Sequence, residues 1–148
     1  MAKPRNYWLL VAAGLNAFAA LLHLGCIVFG APWYRFLGAG ERTARMAEAG
    51  HWLPIFVTLL LAGILTVWSL YALSGAGVIR RLPLLRPVLI AITGFYLLRG
   101  LGFVLLMPAF PGYSMTFWYV SSGTCLLFGL VHAGGLRAAW PMLTQTGA

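Results

Sequence analysis

PVLIAITGFYLLRGLGFVLLM, residues 87–107, is an apolar run long enough to cross a bilayer, and it contains one charge, Arg99. An arginine near the middle of a transmembrane helix costs about 2.5–3.5 kcal/mol on insertion scales. The chain has only ten basic and two acidic residues, so the position marks a polar interior rather than a lipid-facing site.

The rest of the chain matches this run. It is 148 residues long, 61% hydrophobic and 8% charged, with a mean hydropathy of +0.90. Soluble domains are about 25% charged, so the composition is that of a polytopic membrane protein. Backbone in lipid must satisfy its own hydrogen bonds, which leaves helices or a closed barrel. The apolar runs are continuous rather than alternating, which excludes the barrel. The expected fold is all-α: a four-transmembrane-helix antiparallel bundle in a single domain, with spans at about 7–30, 52–73, 87–107 and 116–136.

Charge distribution orients the spans. Lys3, Arg5, Arg80, Arg81, Arg86 and Arg137 fall on one side, whereas the other side holds Arg35, Arg42 and Arg45 with Glu41 and Glu48. The positive-inside rule puts both termini in the cytoplasm. The net charge of +8 thus reads as topology, and no basic face is left to bind nucleic acid. Nine arginines to one lysine, with abundant alanine and glycine, suggest a bacterial inner-membrane protein. Lys3, Arg5 and Ala17-Phe18-Ala19 resemble a cleavable signal, but the apolar run continues to Gly30, so the first span is expected to be retained.

The connections read in the same way. Gly75, Gly77 and Pro87 bound the arginine-rich inner loop, and Pro108 to Tyr113 is a tight outer turn. The long outer loop, 31–50, carries Glu41, Arg45 and Glu48 at helical spacing. This spacing predicts a short outer-surface helix between the first two spans, serving as a connector or as a lid.

Counting depth at about 1.5 Å per residue sorts the polar residues into two layers. His23, Thr58, Arg99, Ser121 and Cys125 lie in the outer half, with Tyr96 a turn deeper and His51 at the outer boundary. Asn16, Thr66, Ser69 and His132 lie lower. Arg99 has no acidic partner within any span. Its options are Glu48 or Glu41 reached by snorkelling, neutral acceptors such as Tyr96, or a bound anion.

His23 and His132 are too far apart in depth to share a haem. No tight His/Cys set indicates a metal, and no P-loop, GxSxG or HExxH occurs, so no cofactor is implied. Cys26 and Cys125 read as buried thiols, a disulfide remaining open.

Three functions fit. The first is an outward-facing intramembrane pocket of Arg99, His23, Tyr96, Ser121, Glu48 and His51, binding or transporting an anionic small molecule or a lipid headgroup. The second is a structural subunit or assembly factor that meets a second copy or a larger membrane complex through Trp68, Trp118 and Phe128. The third is a lipid-modifying enzyme with Glu48, His51 and His23 as acid and base.

Overall fold

The computed structural model describes residues 5–109 and 111–144, and among these residues all regular structure is helical. Helix α1 (Tyr7–Phe29) starts at Asn6, whose side chain accepts from the Leu9 amide at 3.2 Å. It ends at Gly30, whose φ of 72° favours glycine. Helix α2 (Ala31–Phe36) follows at once, with Pro32 in its first turn. Next come α3 (Glu41–Glu48), α4 (Trp52–Gly75), α5 (Leu85–Leu101), α6 (Phe103–Leu106), a 3-10 turn (Met107–Ala109) and α7 (Met115–Thr144).

Helices α1, α4 and α7 are each long and apolar enough to cross a membrane. Their outward faces carry large exposed apolar side chains, such as Phe18, Leu21, Leu60 and Leu130, as expected of helices that contact lipid.

Three sequence expectations need correction. The third apolar run is not one straight rod: α5 stops at Leu101, and the segment Phe103–Ala109 is bent away by 74°. Gly102 marks the break. Its amide reaches the Leu98 carbonyl at 2.7 Å, and a Cβ there would lie 2.7 Å from that same oxygen. The loop 31–50 folds as two helices instead of one, and α7 runs eight residues beyond position 136.

The long helices pack mainly as two pairs, α1 with α4 and α5 with α7, and α1 also touches α7. Close approach depends on small residues. A Cβ at Gly100 would lie 2.8 Å from the Leu126 amide nitrogen of α7, and one at Gly129 would lie 3.0 Å from the Leu97 nitrogen of α5.

At the other end, Asn6 joins three helices. Its Nδ2 donates to the Gly135 carbonyl at 2.7 Å and its amide to Ala76 at 3.4 Å. This places Arg5, the α4–α5 loop and the later part of α7 at one end. Helices α2 and α3 lie at the opposite end, where Tyr34, Cys26, Ala31 and Ala44 form a small buried cluster. Tyr113, in the turn before α7, donates to the Ala39 carbonyl at 3.1 Å.

Candidate functional site

Arg99 is the fifteenth of the 17 residues of α5 and sits in its last turn. A cation near a helix C-terminus faces the negative end of the helix dipole, which offsets part of its desolvation. The half-buried guanidinium forks toward α7: Nη1 donates to Ser122 Oγ at 3.0 Å and Nη2 to Ser121 Oγ at 3.1 Å. Its carbon lies 5.3 Å from the centre of the Trp118 ring, a cation–π distance. Trp118, Ser121 and Ser122 follow the spacing i, i+3, i+4, so one face of α7 carries all three. The sequence reading missed Trp118 and Ser122 at this site, although that spacing was the signal to find them.

Both acidic candidates are engaged elsewhere. Glu41 binds Arg35 Nε at 2.8 Å and Arg45 Nε at 3.1 Å, and Glu48 binds Arg35 Nη1 at 2.7 Å. These exposed contacts join α2 to α3. Hydrogen bonds from Arg35 and Arg45 hold the Glu41 carboxyl down at about 2, and the Arg35 bond lowers Glu48. The two glutamates raise the pKa of Arg35 in turn. Arg99 thus meets neutral hydroxyls and an aromatic face; of the options open to it, pairing with Glu48 or Glu41 is not seen.

The other predicted site residues are dispersed. His23 donates from Nδ1 to the Ala19 carbonyl of its own helix at 2.7 Å. His51 is exposed at the start of α4 and lines a surface depression with Glu41, Arg42, Arg45 and Met46. Thr58 is covered by Tyr34 of α2, whose hydroxyl lies 3.0 Å from Thr58 Oγ1. Since Thr58 already donates to the Pro54 carbonyl, the tyrosine is the donor.

Tyr96 belongs to the lower layer, not with Arg99. Its hydroxyl donates to Asn16 Oδ1. Asn16 Nδ2 donates to the Ala12 carbonyl and to His132 Nε2, each within about 3.1 Å. His132 Nδ1 faces the Phe128 carbonyl at 2.8 Å. A carbonyl only accepts, so Nδ1 carries the proton, Nε2 is the acceptor and the ring is neutral. Both ring nitrogens are therefore used within the protein. Asn16 and His132 are fully buried, and this network joins α1, α5 and α7.

Of the residues expected to form a partner face, two are inside and Trp68 is partly buried. Trp118 and Phe128 are buried, and Trp68 packs edge-on against Tyr96 with ring centres 5.0 Å apart. Cys26 and Cys125 are free thiols. Among the described residues, no group of three His, Cys, Asp or Glu side chains is placed to hold a metal. Comparison with protein-family models, with curated proteins and with solved structures finds no match for this chain.

Proposed function

We propose that this chain is a small multi-pass inner-membrane protein that binds an anionic group at Arg99. In this reading α1, α4, the bent pair α5–α6 and α7 are four antiparallel spans. Both termini are cytoplasmic, and α2 and α3 lie on the outer surface. Arg99 then stands in the outer half, held by Ser121, Ser122 and Trp118. Its ligand is the phosphate or carboxylate of a small molecule or lipid headgroup that approaches from that side.

One observation carries the proposal. The chain has only two acidic side chains, and both are bound by Arg35 and Arg45. No side-chain carboxylate remains to neutralise Arg99. Two of the five guanidinium N–H groups are directed to serine hydroxyls, so the others are available to an anion. Ionisable residues within membrane spans are functional sites by default.

The test is the thermal stability of the purified protein with two probes, glycerol 1-phosphate and dioleoylphosphatidylglycerol in mixed micelles. Wild type gains stability from at least one, and Arg99→Gln gains measurably less from that same probe. The probe that acts distinguishes a soluble anion from a lipid headgroup. Equal responses from wild type and Arg99→Gln to both probes would end the proposal.

A further inference from the structure

The opposite end of the molecule carries a second surface, and it differs in character from the Arg99 site. Arg5, Arg80, Arg81, Arg86 and Arg137 are all exposed there, and neither acidic residue of the chain lies near them in sequence. Asn6 ties this end together through its bonds to Gly135 and Ala76.

A topology signal requires only charge. This loop is also fixed in shape. Ser74 Oγ donates to the Arg80 carbonyl at 3.0 Å and accepts from the Leu82 amide at 2.9 Å. Tyr71 donates to the Pro83 carbonyl at 3.1 Å. Between these anchors and α5, Leu84 takes φ 54°, making it the one non-glycine residue at positive φ among the described residues. Strain of this kind persists where the surroundings over-determine it. Leu84 is nevertheless 73% exposed, so its side chain gains little from protein packing. Arg81 and Arg86 border the same depression, of about 550 Å³, together with Leu82 and Leu84. Arg86 is held in place by the Trp140 ring, 4.6 Å away.

We infer that this loop binds the headgroup of an anionic phospholipid, with Arg81 and Arg86 on the phosphodiester and Leu84 among the acyl chains. The charge matches the phosphate. The exposed leucine, in a fixed loop beside a tryptophan of the kind enriched at membrane interfaces, matches a lipid rather than a free anion. Basic pockets on the cytoplasmic side of membrane proteins bind such headgroups. The inference requires the chain to sit in a membrane and does not depend on the Arg99 reading.

The experiment is native mass spectrometry of the intact protein in mild detergent, done in an Arg99→Gln background so that the other proposed site does not contribute. The probes are dioleoylphosphatidylglycerol, dioleoylphosphatidylcholine and glycerol 1-phosphate. Phosphatidylglycerol is expected to be retained over phosphatidylcholine. Adding Arg81→Gln and Arg86→Gln should weaken its binding by about 30-fold. Arg81→Lys with Arg86→Lys should retain most of it, and Arg42→Gln with Arg45→Gln, at the far end, should leave it unchanged. An unaltered preference in the double glutamine variant overturns the site. Competition by glycerol 1-phosphate at the lipid's own concentration overturns the lipid assignment.

Discussion

The Tyr96 hydroxyl donates to the side-chain oxygen of Asn16, 80 residues away in sequence, at the buried meeting point of α5 and α1. The bond connects the two main helix pairs, and Asn16 extends it to His132 on α7. Tyr96→Phe leaves Asn16 Oδ1 without its donor in a fully buried position. A loss of about 1–3 kcal/mol is expected, read from unfolding in mixed micelles. Combined with Asn16→Ala, the two losses should fall short of additivity by about 0.5 kcal/mol or more. Strict additivity would show that the bond does not couple the pairs.

Gly100 and Gly94 make a matched comparison on α5. A methyl at Gly100 meets backbone of α7 at 2.8 Å, whereas nothing lies within 4 Å of one at Gly94. Backbone cannot swing aside, so Gly100→Ala should cost about 1–3 kcal/mol as overpacking. Gly94→Ala should be neutral or slightly stabilising through better helix propensity. Similar melting curves for the two variants would contradict the α5–α7 approach.

The Arg35–Glu41–Glu48 contacts make α2 and α3 acid-sensitive. Both carboxyls lie below their ordinary value of 4.5 in the folded state, Glu41 at about 2. Their contribution is complete above pH 4.5. It declines as pH falls and the unfolded carboxyls take up protons, and it is lost as each folded carboxyl protonates in turn, Glu41 at about 2. Hydrogen exchange of residues 31–48 should speed up through this window relative to α1 and α4. Molar salt at neutral pH should partly reproduce the effect, because these ions are exposed. Uniform protection from pH 6 to pH 2 would count against it.

Leu84→Gly tests strain. Left-handed backbone costs a non-glycine residue about 1–2 kcal/mol, and Leu84 is largely exposed. In lipid-free detergent the variant should be more stable by up to about 1 kcal/mol, since glycine's freedom in the unfolded chain takes back part of the relief. A clear destabilisation would mean that the leucine packs against something in the protein.

The long helices were legible in the sequence as apolar runs of about 20 residues, and Gly30 marks the end of α1, whereas the ends of α5 and α7 lie elsewhere than expected. The break at Gly102 was not legible. Its neighbours are apolar on both sides, so hydropathy passes through it without interruption. Depth counting placed Ser121 beside Arg99, and the structure bonds the two. It failed for Tyr96, because rise along the axis says nothing about which neighbour a side chain faces. Among the options for Arg99, Glu48 rested on charge scarcity alone. Arg35, 13 residues earlier on the same connection, reaches it at far lower conformational cost.

The shortness of α5 has a consequence for the surrounding lipid. Its 17 residues rise about 25 Å, against a hydrocarbon core of about 30 Å. α1 and α4, with 23 and 24 residues, exceed that thickness even when moderately tilted. In the proposed membrane placement, α6 restores little of the missing length, because it is bent away by 74°. The bilayer would then thin along the α5 face relative to α1 and α4, drawing headgroups and water toward Arg99.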